Sequence, residues 1–252
     1  MNAAVDGLEP KFRGLGLHAM RVAYRACLIN AEKENWGYLR LVERLVDIEA
    51  SARVERKIER LLGDSRLPAE FTLATLNPQK LNEKPRRMLP SLLTGDFVQR
   101  GDNILCFGLP GRGKSLYCAA IARELVRQQQ IRALFVPSFK LVSDLLLAKA
   151  THTLPKALEQ LARYALIVVD DIGYVQHSAE EMEVLFTFLA ERYQQQKSLM
   201  VTSNLVFSAW DRIFKDPMTA MAAVDRLIHR GVILEFVNDE SMREEESRRR
   251  NT

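Results

Sequence analysis

Cysteine, histidine and tryptophan are all scarce here, with 3, 4 and 2 copies in 252 residues. The cysteines Cys27, Cys106 and Cys118 are odd in number and scattered, with no metal-ligand spacing between them. That excludes a disulfide framework and a zinc finger, and makes reduced thiols in a cytoplasm the expected setting. His152, His177 and His229 have no partner at ligand or triad spacing, so pocketed or surface histidines are expected. No apolar run approaches membrane-spanning length, and no membrane role is expected. Internal repeats are missing too, which excludes solenoids and propellers. A large charge imbalance is also absent: 36 basic and 32 acidic residues leave a net charge of +4. Such a balance permits a nucleic-acid partner without demanding one.

What is present centres on Gly108-Leu109-Pro110-Gly111-Arg112-Gly113-Lys114-Ser115, followed by Leu116. The octet fits G-x-x-x-x-G-K-[ST], a phosphate-binding loop. Glycines let successive backbone N–H groups converge on a phosphate. Lys114 would reach the β- and γ-phosphates, and the Ser115 hydroxyl would ligate Mg²⁺. The helix beginning there would offer its positive N-terminal end to the same anion. The context agrees: an apolar strand over 103–107 precedes the loop, and a helical pattern free of Gly and Pro follows as far as Gln130.

Residues 1–66 read as an all-helical domain. One apolar face runs through Leu17, Met20, Tyr24, Cys27, Leu28 and Ala31. Another is expected through Leu39, Val42, Val46, Ala50, Val54, Ile58 and Leu61, ending at Gly63-Asp64. The opposite face of that second helix alternates acidic and basic residues. It admits two readings: a solvated surface with pairs such as Glu49 with Arg53, or Arg53, Arg56, Lys57 and Arg60 aligned on a phosphate backbone. Residues 67–101 read as a proline-punctuated, basic connector with a short helix over 89–97. An ATPase domain over 102–238 and a charged tail over 239–252 complete the division.

From residue 103, strands alternate with helices. Further strands are expected over 132–136, 165–169, 198–202 and 232–237, with helices over 138–150, 178–195, 208–214 and 219–229. Near-continuous apolar strands between amphipathic helices mean an α/β fold, a parallel five-stranded sheet with helices on both faces. Asp170-Asp171 closes the third strand, where Asp170 could hold Mg²⁺ and Asp171 could polarise the attacking water. Asn204 stands at the matching point after the fourth strand and could position that water, although Asn also suits a plain turn. Arg226, ahead of the last strand, could stabilise phosphoryl charge in trans, or be a surface arginine balanced by Asp225.

With these pieces in place, the chain resembles the IstB-like ATP-binding proteins. These are AAA+ helper ATPases encoded beside transposases in bacterial insertion sequences, and close kin of the DnaC-type helicase loaders. The resemblance rests on the loop over 108–115, Leu166-Ile167-Val168-Val169-Asp170-Asp171-Ile172-Gly173, and Val201-Thr202-Ser203-Asn204. It rests further on Trp210-Asp211-Arg212-Ile213-Phe214-Lys215-Asp216-Pro217 and on Val224-Asp225-Arg226-Leu227-Ile228-His229. The resemblance implies Walker A at Lys114 and Ser115, Walker B at Asp170 and Asp171, sensor 1 at Asn204, and an arginine finger at Arg226 acting on a neighbouring subunit's ATP. Two departures stand out: Asp171 replaces the glutamate common in Walker B, and no lid with a sensor 2 arginine follows the last strand. Arg243 resembles part of the family's tail motif. The implied function is an Mg²⁺-dependent ATPase that oligomerises on duplex DNA, with ATP at subunit interfaces, and delivers target DNA to a cognate transposase. The alternatives are a helicase loader gripping single-stranded DNA, and a nucleotide-gated binding module that hardly hydrolyses ATP.

Overall fold

The computed structural model describes residues 7–173, 178–205 and 225–237. The helix expected over 208–214, most of that over 219–229, His177, Trp210 and the tail with Arg243 lie outside the described residues. The chain divides into two compact units, Met1–Arg60 and Leu61–Thr252.

In the first unit, α1 (Leu8–Gly14) and α2 (His18–Lys33) precede α3 (Tyr38–Asp64), whose last residues belong to the second unit. The expected face of α2 is the inward one, with Tyr24 and Cys27 buried and Phe12 of α1 edge-on to Tyr24 at 5.4 Å. The expected face of α3 holds only at its C-terminal end, where Ile58 is half-buried and Leu61 buried. Leu39, Val42, Val46 and Val54 are exposed, while Leu41, Leu45, Ile48 and Ala52 are half-buried. This helix carries apolar residues nearly all round, so periodicity alone offers two seams.

Glu49 decides between them. It is buried, and its Oε2 accepts the N–H groups of Ala19 (2.8 Å) and Met20 (3.2 Å) in the first turn of α2. Those donors have no intrahelical partner, and Leu17, the preceding residue, provides no side-chain cap. Oε1 accepts from Arg53 Nε and Arg56 Nη2, each at 3.0 Å. The expected Glu49–Arg53 pair exists, but its carboxylate is enclosed rather than solvated.

The second unit is built on five parallel strands: β1 (Asn103–Gly108), β2 (Ala133–Pro137), β3 (Leu166–Asp170), β4 (Ser198–Ser203) and β5 (Gly231–Phe236). Their order across the sheet is β2-β3-β4-β1-β5. Side chains alternate between two cores. Leu105, Phe107, Ile167, Val169, Leu199 and Val201 pack under α7 (Ser138–Ala150) and α9 (Ala179–Gln194). Ile104, Cys106, Leu166, Val168, Met200, Leu234 and Phe236 pack under α6 (Lys114–Gln129). Burial on both faces is what the near-continuous apolar strands require. No helix among the described residues is long and apolar enough to cross a membrane.

The connector differs from expectation. In place of a helix over 89–97, α4 spans Glu83–Leu93 and α5 spans Asp96–Arg100. Gly95 separates them with φ +74, a conformation that ends one helix and admits the next turn. Pro85 falls in the first turn of α4, where its missing N–H costs little. Upstream, the Arg123 guanidinium of α6 donates to the carbonyls of Leu67, Pro68 and Phe71, which binds this segment to the phosphate-loop helix. A helix missing from the expected elements, α8 (Leu154–Ala162), lays Leu154, Ala157, Leu158 and Leu161 against the core.

The role of Glu49 is testable. Burial opposes its charge, but hydrogen bonds from Arg53, the Met20 and Ala19 amides and Arg56 outweigh it and hold the carboxyl at about 2, below the ordinary 4.5. A depressed folded value means that its stabilisation is complete above the ordinary value and is lost as pH falls toward about 2. Glu49→Gln should therefore lower protection of the Ala19 and Met20 amides against hydrogen exchange, by on the order of 2 kcal/mol at neutral pH. It should also remove the acid-dependent step. Unchanged protection would show that another group caps α2.

Candidate nucleotide site

Every side chain of the candidate site except one is placed by the same rule: it stands where a parallel strand ends. β1 ends at Gly108, whose φ is +146, and a Cβ there would run into the Phe236 carbonyl oxygen of β5. The loop then turns through Gly111 (φ +78) and Gly113 (φ +83) before α6 begins at Lys114. These positive φ values orient backbone N–H groups in a way that residues with a Cβ rarely permit. The first turn of α6 points its backbone N–H groups to the same side.

Lys114 is buried, yet its ammonium is well satisfied. Nζ donates to the carbonyls of Gly108 (2.7 Å) and Leu109 (2.8 Å) and to Asn204 Oδ1 (2.8 Å). Asn204 in turn donates from Nδ2 to Asp171 Oδ1 at 2.7 Å. Loop lysine, strand-end amide and strand-end carboxylate thus form one continuous chain of hydrogen bonds across β1, β4 and β3. Ser115 and Leu116 are half-buried, and Leu109 is exposed. Arg112 is half-buried, and its Nε and Nη1 have no hydrogen-bond partner among the described residues. Pro110, exposed, completes the loop.

The two aspartates are held differently. Asp170 Oδ1 accepts from the Thr202 hydroxyl at 2.7 Å. Asp171 has left the strand, with φ +60, a conformation uncommon for a residue with a side chain. Its N–H donates to Thr202 Oγ1 (2.8 Å) and its carbonyl accepts from Ser138 Oγ (2.7 Å). Strain of this kind persists only where surroundings over-determine it, and it concentrates at functional sites. Thr202 and Ser138 are the site residues that reading the sequence missed. Their side-chain types suit a strand and a helix start, and only the strand register shows where the hydroxyls go.

Beneath the loop, Cys118 of α6 and Cys106 of β1 meet at 3.5 Å, both reduced and fully enclosed. Burial, contact with Cys106 and the nearby Asp170 charge push the Cys118 thiol well above its ordinary 9, with the Lys114 ammonium pulling the other way.

The donor set suits a hard divalent cation. A serine hydroxyl and a carboxylate at the phosphate loop are the few oxygen ligands that Mg²⁺ accepts beside water and phosphate. Among the described residues there is no cluster of three or more His, Cys, Asp and Glu able to hold a metal.

Arg226 is not part of this constellation. Its guanidinium stacks 4.5 Å over the Phe186 ring, in a cleft shared with Gly101, Asn103, Arg192 and Leu199. Asn103 and Leu199 open β1 and β4, so Arg226 stands at the starting edge of the sheet whose finishing edge carries the loop. At about 3.3 Å per residue the strands separate those edges by roughly 17 Å. Arg53, Arg56, Lys57 and Arg60 belong to the first unit, where Arg53 and Arg56 are engaged by Glu49. Lys57 and Arg60 are exposed. His229 faces the Tyr193 hydroxyl at 3.4 Å, away from the loop residues.

Comparison with known proteins agrees with this architecture. The DnaC helicase loader structure superposes with a TM-score of 0.59 at 19% identity, covering 67% of this chain and 97% of that one. AMPPCP-bound DnaA from Aquifex aeolicus gives 0.57 at 16% identity, covering 74% of this chain and 57% of that one. At these identities the likeness shows the AAA+ fold alone. Sequence relatives are nearer. An insertion-sequence ATP-binding protein of Sinorhizobium fredii is 36% identical over 214 residues, 84% of this chain and 71% of the relative. The ATP-binding protein of insertion sequence IS21 from Pseudomonas aeruginosa is 30% identical over 242 residues, 96% of this chain and 90% of the relative. Residues 11–250 match the family described as IstB-like ATP binding protein, with the phosphate loop, both aspartates and Asn204 inside the match. The chain belongs to the IstB-like ATP-binding family of insertion-sequence proteins.

Proposed function

We propose that this protein is an Mg²⁺-dependent ATPase that assembles on duplex DNA and delivers target DNA to a partner transposase. The observation that carries the reading is the hydrogen-bonded chain Lys114–Asn204–Asp171 at one edge of the sheet, with Arg226 at the other. The first group suits binding and hydrolysis of a triphosphate; the second cannot reach it within one chain. A complete site then needs two copies.

In this reading the loop over 108–116 cradles the phosphates and Lys114 neutralises their charge. Ser115 and Asp170 would hold Mg²⁺, which supplies charge neutralisation on the phosphate oxygens when bound. Asp171 accepts a proton from the attacking water and Asn204 orients that water. Its Nδ2 bonds Asp171 directly, so the amide stands beside the carboxylate that takes the proton. Arg226 acts on the ATP of a neighbouring copy and thereby couples nucleotide state to assembly. Residues 1–66 serve assembly and DNA binding, 67–101 join them to the ATPase domain over 102–238, and 239–252 form a tail. The transposase follows from the insertion-sequence setting of the relatives. A helicase loader acting on single-stranded DNA is the second reading, favoured by the DnaC likeness across nearly all of that chain.

Three outcomes test the proposal. Lys114→Ala should abolish ATP binding, measured by equilibrium dialysis, while retained binding would remove the loop from the site. Arg226→Ala and Asp170→Ala subunits should each hydrolyse ATP about 100-fold more slowly than the parent. Mixed in equal amounts they should recover activity, because one interface then joins an intact Asp170 to an intact arginine. No recovery in a demonstrably mixed oligomer would discard action in trans. For DNA, Lys57→Glu with Arg60→Glu should weaken duplex binding and reduce the salt slope by about 1 for each phosphate no longer neutralised. These positions are informative because Arg53 and Arg56 also hold Glu49. Tighter binding to single strands than to duplex would favour the loader.

A further inference from the structure

Thr202 bonds both Asp170 and Asp171 and the residue that follows them. It is 1% exposed and stands on β4 directly after the Val169–Val201 register pair, beside Asp170. A threonine hydroxyl has one hydrogen and two lone pairs. Here the hydrogen goes to Asp170 Oδ1 at 2.7 Å, and a lone pair takes the Asp171 N–H at 2.8 Å. The Thr202 carbonyl then accepts the Ile172 N–H at 2.9 Å, which closes the turn behind Asp171.

We propose that Thr202 is a positioning residue for the cation and for the base, acting on both through one hydroxyl. By taking Oδ1 of Asp170 it fixes the rotation of that carboxylate and leaves Oδ2 for Mg²⁺. By taking the Asp171 N–H it holds the backbone in the left-handed conformation from which the Asp171 carboxylate meets Asn204 Nδ2. Ser138 holds the same residue from its other side, through the Asp171 carbonyl, and its hydroxyl hydrogen, given to that carbonyl, is not available to Asp170. A threonine serving only strand propensity would give the same fold with valine, since the two differ by a hydroxyl against a methyl. The proposal rests on the Mg²⁺–ATP reading above.

The test compares Thr202→Val, Thr202→Ala and Thr202→Ser in the full chain, using a fluorescent ATP analogue. Two quantities are read: its Kd in EDTA, and the Mg²⁺ concentration at which its affinity is half-way to saturation. Val should raise the Mg²⁺ midpoint about 10-fold, as removing the partner of a metal ligand does elsewhere. Its Kd in EDTA should change far less than the Mg²⁺ midpoint, because the loop and Lys114 keep their own bonds to the Gly108 and Leu109 carbonyls, and Ser should match the parent in both. If Val does not fold, Ala carries the same expectation. An unchanged midpoint in a folded Val or Ala variant overturns the proposal, as does a Ser variant that behaves like Val. A parent whose nucleotide affinity ignores Mg²⁺ overturns the metal reading itself, and that result is visible before any variant is made.

Discussion

A single side-chain amide, that of Asn204, joins the phosphate loop to the acidic strand end. It accepts from Lys114 at 2.8 Å and donates to Asp171 at 2.7 Å. An amide is a neutral side-chain group able to bridge a cation and an anion with its two ends. A carboxylate there would satisfy Lys114 and repel Asp171; a basic side chain would do the reverse. The bridge also requires geometry that only the sheet supplies. β1 and β3 both flank β4, so the loop after β1 and the turn after β3 both face the residue after β4. Parallel pairing puts all three chain ends on one edge, as ligand sites in open α/β sheets require.

The same pairing explains why the arginine stands elsewhere. Any residue that shortly precedes a strand lies at the starting edge, and Arg226 precedes β5, next to β1. The separation is set by strand length and survives any side-chain rotation. A guanidinium at that edge does not reach the phosphate loop of its own chain. Where Arg226 stacks on Phe186, burial of Nη1 without a hydrogen-bond partner among the described residues leaves that atom poorly satisfied. Poor satisfaction of a charged donor is a cost in the isolated chain that an anionic partner would relieve.

Much of the α/β unit was legible because its strands are apolar on both faces and its chemistry sits at their ends. Where two local signals competed, sequence was a weaker guide. The long helix α3 offered two apolar stripes, and the inward one was selected by Glu49, an acidic residue that periodicity assigns to solvent. The helix α8 follows a Thr-His-Thr stretch and carries Pro155 at its start, features that read as loop although its leucines recur at helical spacing. Thr202 lies in the quoted motif and still went unread, because a β-branched residue in a strand needs no further explanation. Its role depends on which strand lies beside β4, and that is a property of topology rather than of local sequence.

Glu49 also changes how the basic face of α3 is to be understood. Two of its arginines share one enclosed carboxylate, and that carboxylate caps another helix. Arg53 and Arg56 remain about half exposed, so each guanidinium still presents N–H groups to water. A phosphate meeting them would compete with Glu49 for the same donors while its own charge opposes that of the carboxylate. Contact at these two positions is therefore coupled to the cap of α2, whereas contact at Lys57 and Arg60 carries no such penalty. The alternation of acidic and basic residues that suggests a plain solvated surface thus divides into two kinds of site. One pair of basic residues is committed to the fold, and the other can meet an anion without disturbing it.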